Sequence, residues 1–143
     1  MNRKINYIHE RALRLVYNDY SSTLVELLRE DKSISFHHRN IHNLAIDMYK
    51  VKKDPCPSFM KDIFSYNKTN DKFFCPNVRT ENMGKQSLRS FGPIVWNRMV
   101  PEKIKSSQNI NVFKDSIKSW VPTNCSCNLC RDWVDGVGYW KIT

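Results

Sequence analysis

Apolar residues recur at helical spacing over most of this chain. Ile5, Ile8, Ala12, Leu15 and Val16 lie three or four apart within residues 3–18, which predicts an amphipathic helix with those five on its buried face. Glu10 and Arg14 stand four apart in the order that favours an ion pair along a helix, and Asn18-Asp19-Tyr20-Ser21 reads as a break. Thr23 can cap a second, short helix while Glu26 closes a capping box, with Leu24, Leu27 and Leu28 as its apolar face and an end near Asp31. The longest periodic segment follows Ser33. Ile34, Ile41, Leu44, Ala45 and Met48 form one stripe of a helix running to about Lys52, where Asp54-Pro55 and Pro57 stop it. A brief helix is predicted from Ser58 to Phe64.

From Tyr66 to Phe91 the pattern changes. Phe73-Phe74-Cys75 and Val78 read as extended, Gly84 as a turn, and Ser87-Leu88-Arg89-Ser90-Phe91 as an alternating strand, so a small hairpin is expected near residues 72–91. Gly92-Pro93-Ile94-Val95-Trp96-Asn97 then opens a helix, with Pro at an early position that suits its fixed φ. Pro101 to Lys105 adds a turn. Ile110, Phe113, Ile117 and Trp120 mark a last amphipathic helix that ends before Pro122. The expected fold is mainly α: a small helical domain with a short β-hairpin over 1–122, followed by a cysteine-rich C-terminal tail over 123–143.

Composition agrees with one globular unit. The chain has 143 residues, 41% hydrophobic and 12% aromatic, with only 4 Gly and 6 Pro, which argues against disorder and fibrous repeats. No apolar run approaches membrane-spanning length, and the N-terminus has no apolar signal region. The expectation is a cytoplasmic or nuclear protein with reduced thiols. Charge sharpens the picture. The net charge is +9, and successive segments 1–50, 51–100 and 101–143 carry +2, +5 and +2. An excess concentrated in the middle favours an anionic partner.

That middle segment interleaves cations with rings. Lys52, Lys53, Lys68, Lys72, Arg79, Lys85, Arg89 and Arg98 are the candidate nucleic-acid-binding residues, set among Phe59, Phe64, Tyr66, Phe73, Phe74, Phe91 and Trp96. Cations track phosphates and exposed rings stack bases, which is what single-stranded nucleic acid requires. The competing reading is that the rings fill a core and the lysines solvate a surface. Three of the five cysteines, Cys125, Cys127 and Cys130, fall within six residues. Thiolates so spaced suit Zn²⁺, and a closed structural site needs a fourth ligand, for which Cys56, Cys75, His9, His37, His38 and His42 are the candidates. Reduced structural thiols are the alternative. Redox chemistry is disfavoured because no strand and helix flank the Cys-x-x-Cys. No phosphate-binding glycine loop, nucleophile elbow or acid/base carboxylate pair occurs, so no enzyme is indicated.

Taken in order, His9-Glu10-Arg11-Ala12-Leu13-Arg14, Tyr17-Asn18-Asp19, Glu26-Leu27-Leu28, His37-His38-Arg39-Asn40-Ile41, Tyr49-Lys50-Val51-Lys52 and Asp62-Ile63-Phe64 resemble the C-terminal region of non-LTR, LINE-type retrotransposon reverse transcriptases, especially jockey-like elements. Val78-Arg79-Thr80, Ser87-Leu88, Gly92-Pro93-Ile94-Val95-Trp96-Asn97, Phe113-Lys114, Trp120 and the Cys125, Cys127, Cys130 cluster continue that order. The resemblance implies a segment beyond the polymerase core that helps hold template RNA or target DNA and docks on that core. It does not carry the polymerase activity. Paired palm carboxylates for two Mg²⁺ ions are required, and no Asp-Asp occurs in this chain. Two other readings stand beside it: a non-functional relic shaped to dock on the missing core, and a zinc-dependent interaction module.

Overall fold

A computed structural model describes residues 2–53, 55–80, 84 and 87–122. The architecture is mainly helical with one two-stranded antiparallel hairpin. In order it runs α1 (Asn2–Tyr17), α2 (Leu24–Asp31), α3 (Phe36–Lys53), α4 (Ser58–Ile63), β1 (Tyr66–Asn67), β2 (Lys72–Phe73), α5 (Leu88–Ile94), a π-helical segment (Val95–Met99), α6 (Glu102–Lys105) and α7 (Ile110–Lys118). Where one helical unit over 1–122 is expected, the described residues group into two compact units, 2–40 with 121–122 and Ile41–Trp120. The cysteine-rich tail over 123–143 lies outside the described residues.

In the first unit, α1 packs against α2 through Leu13 and Tyr17, which meet Leu24, Val25, Leu27 and Leu28. This corrects the face expected from periodicity. Ile8, Ala12, Leu15 and Val16 are exposed and Ile5 is half-buried. Spacing identifies a helix, but α1 carries two apolar stripes, and among the described residues it is the one holding Leu13 and Tyr17 that packs on α2. Tyr17 also donates its hydroxyl hydrogen bond to Asp31 at 2.9 Å, anchoring that side. Asn18, in the left-handed region at φ 51°, ends α1. The Asp19 carboxylate then accepts from the backbone N–H groups of Ser21 and Ser22. Thr23 and Glu26 form the expected capping box, with Thr23 N–H donating to Glu26 at 2.7 Å.

In the second unit, Ile41, Ala45, Met48 and Tyr49 of α3 are fully buried, largely as the stripe predicts. Tyr49 stacks on Phe113 of α7 at 4.3 Å between centroids, and its hydroxyl donates to the Ser107 carbonyl at 2.8 Å. Asn109 caps α7 by accepting from the N–H groups of Asn111 and Val112. The His42 ring donates from Nε2 to the Trp120 carbonyl at 2.9 Å, just past the end of α7.

Two expectations about the middle of the chain are corrected. The hairpin lies at 66–73, not near 72–91, because Asn67-Lys68-Thr69-Asn70-Asp71 supplies the turn. Asn67 Oδ1 accepts from Thr69 N–H at 2.9 Å, and Asp71 takes a left-handed φ of 51°. Phe73 therefore belongs to the second strand, paired with Tyr66, while Lys72 pairs with Asn67. Residues 88–91 are helical. Five alternating residues cannot separate strand from helix, and here the Ser87 carbonyl takes the first helical hydrogen bond, from Phe91 N–H at 2.8 Å. Pro93 consequently sits inside α5, where it has no N–H to give to the preceding turn. The helix continues through the wider turn of Val95–Met99, closed by Val100 N–H on the Val95 carbonyl at 3.0 Å.

Gly92 lets α5 approach closely. A Cβ there would stand 2.8 Å from Met48 Sδ and 3.4 Å from Phe64 Cε1, inside a buried contact. Gly92→Ala is expected to destabilise the chain by about 1–3 kcal/mol, the usual cost of overpacking. A lowered urea midpoint checks this, and an unchanged midpoint means Met48 swings aside without cost.

Candidate nucleic-acid interface

Alternation along β2 divides its side chains between two environments. Phe73 is buried, whereas Lys72 and Phe74 point the other way, with Phe74 69% exposed. Phe74 N–H donates to the Ser65 carbonyl at 2.8 Å, so pairing extends one step beyond the strands and fixes the backbone that carries the exposed ring. Ser65 and Asn67 are exposed on the facing strand, and Lys68 is exposed in the turn. The outer face of the hairpin therefore presents a ring, two ammonium groups and an amide.

The inner face is held by an internal polar cluster. Asp71 accepts from Lys52 Nζ at 2.7 Å, from the Tyr66 hydroxyl at 2.6 Å and from Trp96 Nε1 at 3.3 Å. Its backbone carbonyl also accepts from Trp96 Nε1, at 3.1 Å. Lys52 Nζ lies 5.2 Å from the Trp96 ring centroid and 6.0 Å from that of Tyr66, positions favourable for a cation beside a ring. Asn97 completes the support. Its Oδ1 accepts from Phe73 N–H at 2.9 Å and its Nδ2 donates to the Phe73 carbonyl at 2.7 Å, so one side-chain amide pairs with β2 as a third strand would.

Lys105, 1% exposed, sits nearby, with Nζ 2.7 Å from the outward-reaching Glu102 carboxylate and 5.7 Å from the Trp96 centroid. Its carbonyl accepts weakly from Lys52 Nζ, at 3.4 Å.

Burial alone would push the Asp71 carboxyl up, but the hydrogen bonds from Lys52, Tyr66 and Trp96 and the charge of Lys52 outweigh it and hold the group below its usual value. Tyr66 is raised, first by burial and then by donating to Asp71.

The structure distributes the expected cations unevenly. Lys68 and Lys72 share the hairpin. Lys52 turns inward to Asp71 and acts as a support for the hairpin in place of an exposed phosphate ligand. Lys53 is exposed at the end of α3, Arg79 in the extended segment after the hairpin, Arg89 in α5 and Arg98 in the π-helical segment. Lys85, Cys125, Cys127 and Cys130 lie outside the described residues. Of the seven rings in this region, Phe64, Phe73 and Trp96 are buried, Tyr66 and Phe91 are half-buried, and Phe59 and Phe74 are exposed. The core reading thus claims most of them and leaves Phe59 and Phe74 outside, Phe74 on the strand face that carries Lys72. The roles of Asp71 and Asn97 were missed at the sequence level. The Asn67-Lys68-Thr69-Asn70-Asp71 run was the available signal for the turn, and nothing local pointed to Asn97.

Of the candidate fourth thiolate or imidazole ligands, His37, His38 and His42 all stand on α3. Cys56 is half-buried, and Cys75 is exposed with its sulfur 3.4 Å from Asn97 Nδ2. His9 stands edge-on to Phe36 at 4.8 Å between centroids, and His42 is engaged with Trp120. Burial lowers both imidazoles; Arg39 adds to this at His9, and the bond to Trp120 opposes it at His42. Among the described residues no group of three or more His, Cys, Asp or Glu side chains is placed to hold a metal ion, and no helix is long and apolar enough to cross a membrane. No protein-family model, characterised protein or solved structure matches the chain at a significant level.

The depressed Asp71 carboxyl makes hairpin anchoring pH-dependent. Its stabilisation is present above the unfolded-state pKa of about 3.9 and is lost as pH falls through the lower folded value. Asp71→Asn is expected to lower stability near neutral pH by about 1.5–3 kcal/mol, the range for hydrogen bonds to a charged group. Urea titrations between pH 7 and pH 2 should show the two proteins converging at the acid end; a constant gap would place the effect outside this carboxyl.

Proposed function

We propose that this chain is a segment of a retrotransposon-encoded reverse transcriptase, lacking the catalytic palm, that binds RNA or single-stranded DNA through the outer face of its hairpin. One observation carries the binding reading: Phe74 stands exposed on the same strand face as Lys72, while its backbone is pinned to Ser65. With its backbone fixed, Phe74 has only side-chain freedom to lose when a base stacks on its ring. Lys72 and Lys68 then supply ammonium groups for the phosphates on either side. The order of motifs along the chain supports the family reading, and the +9 charge supports an anionic partner.

The two contributions separate experimentally. With labelled oligo-U and oligo-dT followed by fluorescence anisotropy, Phe74→Ala is expected to weaken binding by the stacking energy of one base, about 1–3 kcal/mol or roughly 5–150-fold, without altering its salt dependence. Lys72→Ala is expected to flatten the slope of log K against log salt by about 0.7, the value for one single-strand phosphate contact. Binding indifferent to both substitutions, or absent at low salt, overturns the hairpin as the interface.

A further inference from the structure

The outer side of α1 is a second candidate surface, independent of the hairpin. Ile5, Ile8, Ala12 and Leu15 repeat at alternating spacings of three and four, the seam of a helix that meets another helix. Ile8 is 66% exposed, Leu15 70% and Val16 73%. At 3.6 residues per turn, the arc from Leu15 through Ile8, Ala12 and Ile5 to Val16 spans about 100°, the width of a stripe that one neighbouring helix covers. Leu13 and Tyr17, on the other side, are already used against α2. Ala12 at the centre of the stripe allows close approach.

Charge identifies the partner. Lys4 and Arg11 are both exposed and stand seven residues apart, about 10.5 Å along the helix, on the edge next to Leu15. The Arg11 guanidinium lies 5.7 Å from the centroid of the exposed Tyr7 ring, one turn back along the helix. Glu10 is the only acid within α1, and its carboxylate is bonded to Arg14. A second copy of α1 laid antiparallel would oppose Lys4 and Arg11 with themselves. Laid parallel, it would oppose them with His9 and Val16, so neither arrangement supplies a carboxylate. An interfacial helix on a bilayer keeps a strongly charged face opposite its apolar one, whereas the far side of α1 is packed on α2 through Leu13 and Tyr17.

We propose that α1 docks an amphipathic helix of another protein, with an apolar stripe bordered by Glu or Asp on the edge that meets Lys4 and Arg11. The probes are two three-heptad Leu/Ile peptides, one flanked by Glu and one by Lys, titrated against the full chain at physiological ionic strength. The Glu-flanked peptide is expected to bind at least tenfold more tightly than the Lys-flanked one. Ile8→Ser combined with Leu15→Ser, which leaves the charge unchanged, should weaken it at least tenfold with an unchanged circular dichroism spectrum. Lys4→Ala with Arg11→Ala should erase the preference between the peptides. Absence of binding, equal binding of both peptides, or indifference to the serine pair overturns the proposal. Three further results reassign the face and overturn it as well. Self-association abolished by the serine pair assigns it to a second copy. Binding to phosphatidylserine vesicles without binding to the Glu peptide assigns it to a bilayer, and tryptic cleavage at Arg131 enhanced by the serine pair assigns it to the chain's own C-terminal residues.

Discussion

The second unit is organised around one carboxylate. Asp71 sits in a left-handed turn and collects three donors from widely separated parts of the chain: Lys52 from α3, Tyr66 from β1 and Trp96 from the π-helical segment. A two-stranded hairpin of two residues per strand has no independent stability in water. Here it is stable because the turn is bonded to buried groups while Phe73 packs edge-on to Trp96 and Phe64. The same bonds leave Lys52 with an internal carboxylate and a ring, so it has a structural task ahead of any surface one.

The sequence carries local features well and distant ones poorly. Thr23 and Glu26 are three residues apart, and their reciprocal hydrogen bonds follow from spacing alone. The stripe of α7 was likewise readable, because Phe113 and Ile117 lie one turn apart on one side. The inward face of α1 was not readable, since Ile8 and Leu15 are as apolar as Leu13, and the choice depends on where α2 folds back. Ser87 to Phe91 fits strand and helix templates equally over five residues. Asp71 could be recognised as a turn residue, but its pairing with Lys52, 19 positions away, is a product of the tertiary fold.

The candidate site shows the same division. Lys68 and Lys72 were legible as cations near aromatic residues, and the structure adds which ring stands outside with them. Phe73 and Phe74 are adjacent and chemically identical. Strand alternation sends the first into the core and the second to solvent, so the interface depends on register more than on composition. A slip of one residue would exchange them and bury Lys72's side of the strand.

The wider turn at Val95–Met99 has a geometric consequence of its own. Successive residues of an α-helix diverge by about 100°, which tends to send neighbours to different surroundings. A π turn holds more residues per revolution and reduces that divergence. Trp96 and Asn97, adjacent in sequence, both reach the hairpin, one at its turn and the other at its second strand. Helical phase is therefore part of the anchor: the segment acts as an α-turn with one residue added, a length-encoded coupling that no substitution of side chains alone would reproduce.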